Sequence, residues 1–166
     1  MKKTILLLIA FAICCTTNAE DGHNLWLRYE TLNKAHVIAP KGGKTIQIAI
    51  DELKKYWNGK DLKLVIDKSL KNDDGFIYDA DSICSHSEIG LLYGVYEALR
   101  TQQLSTNSNT GGYSAPKYSR RILNHWDNID GSIERGYAGN SIFFSSRLKG
   151  YDWEKRIIEY ARANAS

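Results

Sequence analysis

Residues Asn124-His125-Trp126-Asp127-Asn128-Ile129-Asp130-Gly131-Ser132-Ile133-Glu134-Arg135-Gly136-Tyr137-Ala138-Gly139 hold the densest set of groups able to do chemistry. An exposed indole such as Trp126 offers a flat apolar face on which a sugar ring stacks its C–H groups. Neighbouring Asn, Asp and Arg side chains then bond hydroxyls or a carboxylate. A bland reading stands beside this one. Asp127 and Asp130 satisfy loop backbone, Glu134-Arg135 is a surface pair, and Trp126 belongs to the core. A metal site has ligand types here in His125, Asp127, Asp130 and Glu134, but neither His-Glu-x-x-His nor EF-hand spacing. Adjacent positions say nothing about the carboxylate separation of roughly 5–9.5 Å that glycoside hydrolysis requires.

These groups follow Arg121–Trp126, which reads as a strand ending in polar and aromatic residues. Parallel β/α architectures place their active sites at such strand ends. Behind it, Asp152–Ala163 has helical spacing, with Trp153, Ile157 and Tyr160 on one side and Asp152 as a candidate cap. Upstream, Leu25–Tyr29 and Ala35–Ala39 are short extended candidates, the latter closed by Pro40 and Gly42-Gly43. Ile46, Ile50, Leu53 and Trp57 recur at helical spacing, with Thr45 as candidate N-cap and Asn58-Gly59 as a left-handed stop. Leu62–Ile66 is a strand, and Phe76–Tyr78 with Ser82–Cys84 a strand pair. Ile89, Leu92, Tyr93, Tyr96 and Leu99 outline a second helix ending near Gln102, where Gly90 and Gly94 permit close approach by another backbone. The order suggests a small α/β layer covered by two helices. Residues 104–119 are polar and read as a connector, so the expected division is residues 20–103, 104–119 and 120–166.

Composition narrows the class. The chain has 166 residues, 43% hydrophobic and 25% charged, which excludes disordered, collagen-like and multi-span membrane proteins. Of its 22 basic residues, two are Lys2 and Lys3. The remainder is nearly balanced against 19 acidic ones, leaving no electrostatic reason for a nucleic-acid or membrane partner. Lys2-Lys3, the apolar run Ile5–Ile13 and the small residues Thr17 and Ala19 read as a secretory signal over residues 1–19. That run is shorter than the roughly 20 residues of a membrane span. Export is therefore expected, to a periplasm or to the medium. Cys14 and Cys15 leave a lipoprotein alternative. Beyond residue 19 only Cys84 remains, so no intrachain disulfide forms, and a structural thiol is expected rather than a nucleophile working with His86. No cofactor motif is present, and the sequence leaves oligomeric state open.

Arg121–Gly139 resembles the start of the catalytic domain of α-glucuronidases of glycoside hydrolase family 67. Glu20–Tyr29 is similar to that family's opening motif. The resemblance implies an α/β fold: a small N-terminal sheet domain like the one preceding the barrel in hexosaminidase-type enzymes, then the first β/α unit of a (β/α)8 barrel. It implies removal of 4-O-methyl-glucuronic acid, with inversion, from glucuronic-acid-substituted xylooligosaccharides. Trp126 matches the tryptophan lining the uronic-acid pocket, and Asn128, Glu134 and Arg135 stand at nearby motif positions as further substrate-binding candidates without individual roles. No catalytic residue carries over, because the family's acid, its water-activating carboxylates and its uronate-holding basic residues lie on later barrel strands. Such a barrel takes roughly 250 residues, so a truncated and inactive barrel is expected here. The alternatives are a carbohydrate-binding module without catalysis, or a domain that docks with a separately encoded barrel.

Overall fold

The computed structural model describes residues 29–104, 111–144 and 153–165. The expected signal over 1–19, nearly all of the Glu20–Tyr29 motif and the Asp152 cap lie outside these residues.

Alternating apolar residues build the sheet. Leu62 and Leu64 of β2 (Leu62–Ile66) and Ile83 of β4 (Ser82–Ser85) are buried, whereas Lys63 between them is exposed. With β1 (Val37–Ile38), β3 (Phe76–Tyr78) and β5 (Tyr113–Ser114) they form one sheet in the order β1-β2-β4-β3-β5. β1, β2 and β4 run parallel, while β3 is antiparallel to both β4 and β5. The anticipated strands at residues 62–66, 76–78 and 82–84 are therefore present. β5 falls inside the stretch expected to be a connector, where it supplies an edge strand.

Helix α1 (Lys44–Tyr56) buries Ile46, Ala49 and Leu53. Its two ends differ from expectation. Thr45 lies inside the first turn, and the N-cap is Gly43, which makes no side-chain cap bond. Instead the Gly43 N–H donates to Glu88 Oε1 at 2.9 Å, placing a carboxylate at the positive end of the helix dipole. The stop is Trp57, in extended conformation at φ −76°, ψ 132° with its N–H on Leu53 O, so no left-handed Gly59 is needed.

Helix α2 (Glu88–Leu104) buries Leu91, Val95 and Ala98 as well as Leu92, Tyr96 and Leu99. The expected single stripe through Ile89 and Tyr93 is thus too narrow. The helix packs against both the sheet and α1, and so is apolar on more than one side. Gly90 does let another backbone approach, with Gly75 O 2.8 Å from where its Cβ would sit, whereas the close neighbours at Gly94 are side chains. A Cβ on Gly90 would lie 2.1 Å from Ser85 Oγ, and one on Gly94 2.4 Å from Ile83 Cγ2.

The expected strand at Arg121–Trp126 is absent. These residues have no ladder partner among the described residues, and Ile122 and Leu123 are 77% and 56% exposed. A strand is a paired object, and an apolar run without a neighbour cannot form a ladder. Helix α3 (Trp153–Ala165) does form. Its Arg162 reaches back to α1, with Nε and Nη2 donating to Glu52 Oε2 at 3.1 and 2.8 Å. The guanidinium also lies 4.9 Å from the centre of the Tyr56 ring. No described helix is long and apolar enough to cross a membrane.

Candidate functional site

Glycines shape the loop after Trp126. Gly131, Gly136 and Gly139 take φ of 89°, 93° and 108°, a region that side chains disfavour. Their turns fold the chain back on itself through bridges between Asp127 and Ile133 and between Ser132 and Asn140. The Glu134 N–H donates to Trp126 O at 2.8 Å, and the Ser141 N–H to Gly131 O at 2.9 Å. The loop thus satisfies its own backbone, as an exposed non-ladder segment must.

Two polar residues act as its clasps. Asn128 Nδ2 donates to Ser132 Oγ at 2.9 Å and to Glu134 O at 2.6 Å, committing its amide group to the loop. Asp130 Oδ1 accepts from the Ser132 hydroxyl at 2.6 Å and the Ser132 N–H at 2.8 Å. These hydrogen bonds, the side-chain one foremost, hold the Asp130 carboxyl below its ordinary pKa. The ionised clasp is therefore favoured above the unfolded pKa of about 3.9 and is lost only as pH falls through the lower folded value. Removing the hydroxyl in Ser132→Ala should return the Asp130 titration toward the ordinary value. Carboxyl ¹³C chemical shifts read this directly, and an unmoved midpoint would contradict the assignment.

Trp126, Asp127, Asn128, Glu134, Arg135 and Tyr137 line one open depression of about 510 Å³. The four residues singled out from the sequence, Trp126, Asn128, Glu134 and Arg135, are therefore brought together. Trp126 is 60% exposed, which removes its core reading. Glu134 bonds to Tyr137, raising the phenol pKa above its ordinary value. Asp130 does what the bland reading proposed, and Asn128 is tied into the loop in the same manner. The depression thus presents an aromatic face, a guanidinium and a carboxylate–phenol pair, a donor and acceptor set suited to a hydroxylated or carboxylated ring.

Tyr137 is not among the site residues expected from the sequence, and His125 enters there only as a metal-ligand type. An exposed aromatic between two loop glycines was the available signal for Tyr137. The contacts of His125 are mostly not local, because Tyr160 comes from α3 and Phe143 from the end of the loop. Its Nε2 is 2.7 Å from the Tyr160 hydroxyl, and its Nδ1 is 3.5 Å from Asp127 Oδ2. Phe143 meets the ring edge-on, with centroids 5.0 Å apart.

Comparison with known proteins places this geometry in context. Residues 100–166, which hold the whole loop, match the glycosyl hydrolase family 67 middle domain. Over those residues the chain is similar to that family's middle domain. Over its full length it is 30% identical to a probable alpha-glucuronidase A of Aspergillus terreus, covering 25% of that protein. It is 29% identical to alpha-glucuronidase A of Aspergillus tubingensis over 89% of the chain and 22% of that protein. A shorter stretch, 51% of the chain, is 44% identical to a probable alpha-glucuronidase A of Aspergillus fumigatus. The chain thus spans between a tenth and a quarter of the length of these relatives.

Proposed function

We propose that this chain carries one wall of a glucuronic-acid site in an exported α-glucuronidase of family 67 that acts on xylooligosaccharides. The observation that carries the reading is the half-uncovered Trp126 indole beside Glu134, Arg135 and Tyr137 in one depression. The indole stacks on the sugar ring, and Arg135 stands where it can bond a uronate carboxylate. The names of the relatives, which are all alpha-glucuronidases, support the substrate class.

Residues 120–166 form the opening β/α unit of the barrel, with Arg121–Trp126 becoming a strand only beside its neighbours. The chain does not hydrolyse by itself. Inversion needs an acid to protonate the leaving oxygen and carboxylate assistance to water on the opposite face. In this reading both come from the larger part of the relatives that has no counterpart here. Loss of residues 1–19 on export leaves Glu20 as the first residue.

Calorimetric titration of the purified chain with aldouronic acids tests the reading. Saturable binding is expected, weakened about tenfold or more in Trp126→Ala. Flat titrations up to millimolar ligand would sink it, and release of methyl-glucuronic acid by the chain alone would sink the inactivity.

A further inference from the structure

Trp126 is 60% exposed, so the contacts made by the residues on either side bear on its pose. Asp127 is fixed by its bridge to Ile133, and its carboxylate is only 9% exposed where it faces His125. On the other side of the ring, Nε2 lies 2.7 Å from the Tyr160 hydroxyl, within hydrogen-bond distance. The rings of His125, Phe143 and Tyr160 pack edge to face, with centroids 5.0–5.8 Å apart. Trp153 adds a second tether from the same helix, donating its indole N–H to Ile142 O at 2.6 Å.

Tyr160 and Arg162 are two residues apart on α3, so they project about 200° apart around its axis. One side of the helix therefore grips the loop through Trp153 and Tyr160. The other grips α1 through Arg162 and Glu52. An unbroken set of contacts runs from the α/β layer, through α3, to His125, the residue before Trp126.

We propose that His125 is a positioning residue for Trp126, and that α3 is the strut that mounts the depression on the α/β layer. This inference rests on the glucuronate-site reading for its ligand, but not for its geometry. His125 directly precedes Trp126 in the chain, and the Tyr160 hydroxyl, 2.7 Å from its Nε2, keeps the imidazole in place.

The full chain labelled with 5-fluorotryptophan tests this. Its Trp126 ¹⁹F resonance is identified by its absence in Trp126→Phe. Tyr160→Phe and His125→Phe each remove the hydrogen bond and keep an aromatic ring in the cluster, and circular dichroism verifies that each folds. The Trp126 resonance should move in both variants, and affinity for aldouronic acid should fall about three- to tenfold, the range for one lost hydrogen bond. A stationary resonance overturns the proposal, whether or not the chain binds sugar. A shifted resonance with unchanged affinity also overturns it, since the held pose would then not matter to the ligand. A shifted resonance in a chain that binds no sugar supports the strut and instead sinks the glucuronate reading.

Discussion

Gly90→Ala should destabilise the protein by about 3 kcal/mol, toward the upper end of what overpacking costs. The added Cβ would lie 2.1 Å from Ser85 Oγ, 2.8 Å from the Gly75 carbonyl oxygen and 3.0 Å from that of Asp74. Two of these neighbours are backbone and cannot rotate away. The third is a fully buried hydroxyl that donates to Gly75 O at 2.7 Å, so moving it breaks a buried hydrogen bond. Relief would require α2 to lift from the sheet it covers, opening the core around Leu91, Val95 and Leu99. Urea unfolding reads the effect as a midpoint lowered by about 1.5–3 M if the slope is unchanged, for a slope of about 1–2 kcal/mol/M. A midpoint within 0.3 M or so of the parent would show that α2 does not sit this close to β4.

Glu52→Ala should release α3. The side chains of Arg162 and Glu52 are only 10% and 13% exposed. Burial by itself lowers the Arg162 pKa, but the Glu52 carboxylate outweighs it and leaves the value above ordinary. Removing Glu52 strands a cation against the Tyr56 ring, and breaking a buried pair in this way costs about 3–5 kcal/mol. A helix fastened to α1 mainly by this pair can escape that cost by detaching, so the loss should appear as faster amide hydrogen exchange confined to residues 153–165 rather than as global unfolding. The double variant Glu52→Leu with Arg162→Met removes both charges and should restore most of the protection. If the single variant left exchange in α3 unchanged, the ion pair would not be what fastens the helix.

The sequence made the α/β layer legible because its signals are local. The alternation of Leu62 and Leu64 with Lys63, and the helical recurrence of Ile46 and Leu53, are patterns that tertiary contacts reinforce. The ends of α1 were not legible, since its N-terminal partner is Glu88, more than forty residues away. The breadth of α2's buried surface was hidden for a similar reason, as α1 and the sheet claim different sides of it. Arg121–Trp126 shows the opposite failure: its apolar content is right for a strand, but pairing depends on a neighbour that no stretch of the described chain supplies. At the site, the loop's residue types and its resemblance to the family together group Trp126, Asn128, Glu134 and Arg135. They did not separate Asn128, which ties the loop together, from the groups that face outward. Nor did they reveal the His125–Tyr160 contact, which joins positions 35 residues apart.

Uncovered Ile122, Leu123 and Ile129 give the molecule a greasy margin that water tolerates poorly. Its handling will be governed by that margin more than by its net charge of +3. Sulfate and similar excluded salts, which strengthen apolar association, will drive molecules of this protein to clump at concentrations where a fully covered domain stays dispersed.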